Sequence, residues 1–199
     1  MTKQNNSEYD WQYDALIGVH QTWFAFFSGY RLAVDELFNS LLKRRSIDIL
    51  AYPFLFLIRH TIELGLKANI HLLANYSEQD YGVGKSIHKL KYLQDAMMKH
   101  FEYLSKTEPK DDTIYKGFHT ENEKLSVLID YFENIDLMSM SFRYPMDRQG
   151  NKSLLYQERI NLLKIKDQFN EAVNILDRTR DVLEPLFEMI DEYRETYQY

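Results

Sequence analysis

The chain has 199 residues, 45% of them hydrophobic, a formal net charge of −6 and no cysteine. That length suits one domain, and the missing cysteines exclude disulfides, thiolate nucleophiles and cysteine-based zinc sites, as expected of a cytoplasmic protein. The acidic balance excludes wholesale electrostatic attraction to nucleic acid but leaves room for a local basic site.

Good helix formers are plentiful while Gly (7) and Pro (4) are few, so an all-α fold is expected. The opening MTKQNNSEYD has no apolar signal-peptide core, and residues 1–8 read as a disordered tail. Residues 9–48 read as an N-terminal helical extension. From Tyr9 to about Ser28, apolar residues spaced three and four apart predict a helix that includes Trp11, Leu16, His20, Trp23 and Phe27. Gly29 is expected to join it to a second helix ending near Arg45, where the KRR run at 43–45 favours the helix dipole over a nucleic-acid patch. The next stretch, Tyr52 to Tyr76, is apolar on nearly every side, with Pro53 near the first turn of a central helix. The longest apolar run, Ile49 to Ile58, falls short of the ~20 residues of a membrane span, so no membrane is expected.

A polar, Gly-containing loop at 77–86 precedes a helix from about Ser86 to Ser105, and residues 106–119 read as irregular and exposed. Thr120 with Glu123 reads as a capping box that opens a helix to about Ile135. The pattern then breaks, and Gly150-Asn151 marks a turn in a short hairpin at about 140–156. Leu162, Ile165, Phe169, Ala172, Leu176, Thr179, Leu183, Leu186, Ile190 and Tyr193 form a heptad-like seam. It predicts one long C-terminal helix, kinked at Pro185 and packed lengthwise on a bundle or a partner subunit.

The central helix carries the candidate chemistry. Arg59, Glu63, Lys67 and His71 stand four residues apart and so share one helix face. Buried charges must pair, so Glu63 either satisfies Arg59 and Lys67 in a structural ion network or leaves surplus cation for a phosphate. In the second case His60 or His71 edges the pocket. A metal site from His60, Glu63 and His88 matches no ligand motif, and no metal or cofactor is expected. The segment Ser141-Phe-Arg-Tyr-Pro145, preceded by Asp136, is the other candidate. There Arg143 either aims at a site or pairs with Glu63 or an Asp while Phe142 and Tyr144 plug the bundle. The 15 Tyr, 12 Phe and 2 Trp read as core and dimer-surface packing ahead of base stacking.

Three motifs in order, Glu63-Leu-Gly-Leu-Lys67-Ala, His88-Lys-Leu90-Lys-Tyr-Leu93 and Arg143-Tyr144-Pro145, resemble the HEPN superfamily over about residues 50–185. The resemblance implies a compact helical bundle and a cytoplasmic, homodimeric bacterial protein of toxin or defence type. Such a protein binds RNA, and is able to cleave it, through a phosphate-binding cleft at the dimer interface. It also implies metal-independent acid–base chemistry, with Arg59, His60 and Arg143 as catalytic candidates. Lys67, His71, His88 and Tyr144 are then ligand-binding candidates, with Glu63 and Asp136 in the structural ion network. Active HEPN ribonucleases carry an arginine followed, after four to six residues, by a histidine, and no arginine here has that spacing. The alternative is a non-catalytic dimeric module that binds a protein partner or a small nucleotide.

Overall fold

Five α-helices follow one another in the computed structural model: α1 (Trp23–Arg44), α2 (Ile47–Ser77), α3 (Leu90–Thr107), α4 (Asp112–Ile135) and α5 (Leu162–Tyr197). It describes residues 13–44, 47–82, 87–107, 112–136, 140–147, 149–153 and 159–197. The fold is an all-α bundle with a long C-terminal helix, and α2 is its hub, packing against α1, α3 and α5 while α4 bridges α3 and α5. That position follows from composition. Leu55, Ile58, Ile62, Leu66, Ile70 and Leu73 of α2 are all buried, and so are Arg59, Glu63 and Asn69 between them. A helix apolar on all sides is stable only when surrounded. Among the described residues α2 is also the one helix long and apolar enough to cross a membrane, and 56% of that window is already buried in the bundle.

Gly65 lets the neighbours of α2 come close. A β-carbon there would lie 2.8 Å from both Leu176 of α5 and Phe27 of α1. One turn on, the Asn69 amide donates to the carbonyls of Gly65 and Leu176, both at 2.9 Å, tying α2 to α5. Nine of the ten seam residues of α5 are buried, from Leu162 to Ile190, and Tyr193 is exposed. Pro185 lies inside α5.

Several local expectations are corrected. Residues 13–22 are not α-helical, because Gly18 turns the chain at φ +94° and nothing buries Leu16 or Ile17. The helix starts at Trp23, where the Thr22 hydroxyl accepts the Ala25 amide at 3.1 Å. It runs through Gly29, and burial of Phe27 and Val34 offsets the glycine's cost of about 1 kcal/mol. Phe27, Val34 and Leu41 join the same core cluster as α2, so this stretch is part of the bundle. The central helix begins at Ile47, six residues before Pro53, which sits on an exposed side where water can satisfy the carbonyl it leaves unpaired.

Residues 112–119 are helical, with Tyr115 and Phe118 packed on Phe101 of α3 at ring distances of 5.1 and 3.9 Å. Thr120 is therefore mid-helix and opens nothing, and its hydroxyl bonds back to the Lys116 carbonyl at 3.0 Å. The hairpin reduces to one antiparallel bridge, Met146 to Lys152, around a turn with Gly150 at φ +86°. The expectations for residues 1–12, 108–111, 154–156, Arg45 and Ser86 lie outside the described residues.

Candidate functional site

Glu63 is the centre of a buried ion network. Its side chain is 2% exposed and takes Lys67 Nζ at 2.7 Å and His88 Nδ1 at 3.0 Å on one oxygen, with Arg59 Nη1 3.6 Å from the other. The helix spacing of four brings Arg59 and Lys67 to it, and the segment entering α3 brings His88. Burial alone would push the Glu63 carboxyl up, but hydrogen bonds and charge from Lys67 and His88 outweigh it and hold the group below its ordinary range. It is therefore an anion at neutral pH. An ionised carboxylate only accepts, so His88 donates to Glu63 through Nδ1, from a side chain 54% exposed.

Arg59 is 0% exposed. Its Nη2 donates to the His88 carbonyl at 2.6 Å, its Nε donates to the Asp136 carbonyl at 3.3 Å, and the Asp136 carboxylate lies 3.8 Å from Nε. Nη1 has no hydrogen-bond partner in this geometry, nor does Oδ2 of Asp136. Burial lowers the Arg59 pKa against the opposing charges of Asp136, Glu63 and Glu133, and an arginine in such company stays cationic. The other carboxylate oxygen of Asp136 accepts the Met140 and Ser141 amides, both at 2.8 Å. The Arg143 and Tyr144 amides in turn bond the Met140 carbonyl, closing a turn that starts the Ser141–Pro145 segment.

On the outer side of that turn Arg143 and Tyr144 are exposed, whereas Phe142 is buried against Phe132. The Arg143 guanidinium lies 5.7 Å over Phe56 and 5.4 Å over Tyr144. Phe56 stacks on His60 at 5.7 Å, and His60 meets Tyr30 edge-on at 4.6 Å. Burial lowers the His60 pKa, Glu63 opposes that, and the charges of Lys67, Arg143 and His88 add to it, so the imidazole is neutral at pH 7. Beside this platform an open pocket of about 560 Å³ is lined by Tyr52, Arg143, Tyr144, Met146 and Lys152, among others.

The predicted residues thus separate into three places. Arg59, Glu63, Asp136, Lys67 and the backbone of His88 form the core network. His60, half-buried, shares an aromatic and cationic surface with the exposed Arg143 and Tyr144. His71 stands apart, stacked on Trp23 at 5.1 Å, where burial and Lys67 lower its pKa. No family model, curated protein or solved structure matches the chain. Among the described residues no group of three or more His, Asp or Glu side chains is placed to hold a metal ion.

Some contributors carry no readable motif. Glu133 of α4 accepts the Leu90 amide at 2.8 Å and so caps α3. Its spacing of three from Asp136, which puts both on one face, was the available signal. His100 is fully buried between the Ser77 hydroxyl at 2.7 Å and the Tyr81 carbonyl at 2.8 Å. Burial lowers its pKa, so the imidazole is neutral at pH 7; the carbonyl accepts from Nε2, which leaves Nδ1 to accept from the Ser77 hydroxyl. The aromatic partners Tyr30, Tyr52 and Phe56 are legible only once α1, α2 and the Arg143 turn are brought together.

Proposed function

We propose that the chain is a HEPN-like helical protein that binds RNA, or nucleotides of RNA, without using Arg59 for catalysis. The observation that supports this most is the position of Arg59. A guanidinium with no exposed surface, bonded to two carbonyls and flanked by two carboxylates, is out of reach of a phosphate even though Nη1 has no hydrogen bond of its own. His60 then lacks Arg59, its neighbour in sequence, as a partner for cleavage. The exposed surface has what single-stranded RNA uses: a guanidinium that can meet a phosphate, and rings (Tyr144, Tyr52) on which bases stack. Stacking is worth about 1–3 kcal/mol per base, so an acidic protein can bind through a small platform of this kind.

The test is fluorescence anisotropy with a short single-stranded RNA at one fixed salt concentration, alongside an incubation that follows RNA integrity. Wild type should bind and leave the RNA intact, and Arg143→Ala/Tyr144→Ala should weaken binding at least tenfold. Absence of binding, or RNA decay abolished by Arg59→Ala in a folded protein, overturns the proposal.

One geometry favours a second reading. Glu63 fixes the tautomer and direction of His88, the arrangement by which a carboxylate prepares an imidazole as general base. RNA decay that survives Arg59→Lys but disappears in His88→Gln would transfer catalysis to that residue.

A further inference from the structure

The pocket beside the Arg143 platform is held by a short hairpin. Met146 and Lys152 pair as its antiparallel bridge. The Ser153 amide donates to the Pro145 carbonyl at 3.1 Å, and the Asp147 amide donates to the Asn151 carbonyl at 2.8 Å. These bonds return Lys152 to the segment that carries Arg143. Two cations from the two arms of the hairpin therefore line one pocket, together with Tyr144 and with Tyr52 of α2. Both tyrosines keep about half of their surface in water.

Charge and size point to the same kind of ligand. Among the described residues none of those lining the pocket is acidic, although the chain as a whole carries −6. Asp147, the acidic residue next along the chain, is committed to its own turn. Its Oδ1 accepts the amides of Gln149 and Asn151 at 2.9 and 2.8 Å, and its Oδ2 accepts the Asn151 side-chain amide at 3.0 Å. Ser153 also lines the pocket, and among the described residues its buried hydroxyl has no hydrogen-bond partner. A buried hydroxyl in that position calls for a partner from water or a ligand. The volume of about 560 Å³ lies inside the roughly 300–1,000 Å³ of small-ligand pockets, which suits one nucleotide and not a run of them.

An internal phosphate of RNA brings a single negative charge and a chain that leaves on both sides. A phosphomonoester carries about 1.5 to 2 negative charges at pH 7 and has chain on one side only. Two cations, a hydroxyl and two rings around space for one nucleotide match the second. We propose that the pocket takes the terminal nucleotide of a single-stranded RNA through its phosphomonoester. Arg143 and Lys152 hold the phosphate, the Ser153 hydroxyl donates to one of its oxygens, and the base lies against Tyr52 or Tyr144. The proposal rests on the RNA reading above and narrows it from a strand to the end of one.

The test is anisotropy at one salt concentration with one RNA sequence, labelled within the strand and made in three forms: 5′-phosphate, 3′-phosphate, and hydroxyl at both ends. Wild type should bind one phosphorylated form at least about tenfold more tightly than the hydroxyl form, and the preferred end is the one the pocket takes. Lys152→Ala should remove most of that preference, change affinity for the hydroxyl form far less, and keep the melting temperature, since Lys152 is exposed. Lys152→Arg should retain the preference, and Ser153→Ala should lose part of it. Equal affinity for the three forms, with binding still lost in Arg143→Ala/Tyr144→Ala, overturns the terminal pocket and leaves the RNA reading standing. So does a preference that Lys152→Ala leaves intact. A nucleoside 5′-monophosphate that displaces the phosphorylated strand at equal concentration would make a free nucleotide the occupant and overturn it too. Binding of none of the forms overturns this proposal and the RNA reading together.

Discussion

Replacing Glu63 by Leu removes the one carboxylate shared by Arg59, Lys67 and His88 and leaves a similar volume of apolar side chain. At an effective dielectric of about 20, opposite charges about 4 Å apart attract by about 4 kcal/mol. Arg59 has two such partners, Glu63 at 3.6 Å and Asp136 at 3.8 Å, set against a desolvation cost of several kcal/mol for a fully buried cation. The substitution halves that compensation. Asp136 and two carbonyls remain, and Lys67, partly exposed, can turn to water. The loss should therefore fall near the low end of the about 3–5 kcal/mol that follows breaking a buried pair. In a domain of this size that is a fall of roughly 6–12 °C in melting temperature. Urea titration gives the free energy directly. Arg59→Met/Glu63→Leu/Asp136→Asn should recover at least about 1 kcal/mol of the single variant's loss, since neither the guanidinium nor its remaining counter-charge is then stranded. Recovery should be incomplete, because the carbonyls of His88 and residue 136 then lack their donor. A Glu63→Leu protein within about 0.5 kcal/mol of wild type would refute the argument, and so would a triple variant less stable than the single one.

Acid should destabilise the fold in two stages. His60, His71 and His100 all have pKa values lowered by burial, so below about 6.5 the unfolded chain takes up protons that the folded chain refuses. Stability from these groups is full above that pH and is lost as pH falls through their folded values. Glu63, held below its ordinary range, adds a second loss lower down. Melting temperatures from pH 7.5 to 4 should decline below about 6.5, and a flat profile would contradict the assigned burial. Gly65→Ala should cost about 1–3 kcal/mol by overpacking, because its β-carbon meets the Phe27 ring as well as the end of Leu176. Thermal melts of Gly65→Ala made in the wild type and in Leu176→Ala check this, the glycine substitution costing less in the second background because Leu176 is one of the two side chains it meets.

The sequence was most legible where periodicity and burial agree. The seam of α5 repeats in threes and fours and is buried from Leu162 to Ile190. The four-residue stripe of α2 places Arg59 and Lys67 on either side of Glu63. Local patterns failed where a tertiary partner decides the outcome. Residues 112–119 look like loop by composition, and they are helical because Tyr115 and Phe118 have the Phe101 ring to cover. Thr120 and Glu123 match a cap in spacing, yet a threonine hydroxyl bonds back within a helix equally well. The stretch at 13–22 has helical spacing with no surface of its own bundle to bury. His100 had no motif at all, and only the loop that returns Tyr81 over α3 gives it two partners.

Arg59 and Arg143 were grouped in sequence as members of one site, and the structure separates their tasks while keeping them connected. Asp136 is the connection. One carboxylate oxygen faces the buried guanidinium of Arg59, and the other holds the two amides that begin the turn carrying Arg143 and Tyr144. A charged residue in the core is thereby able to fix the direction of an exposed one. Loss of Arg59 would act on any ligand of the platform through Asp136 and the turn, so its effect should appear as weakened affinity together with lost stability. Loss of Arg143 should weaken affinity alone. That difference distinguishes a positioning residue from a contact residue in the same binding titration, with melting temperature as the second axis.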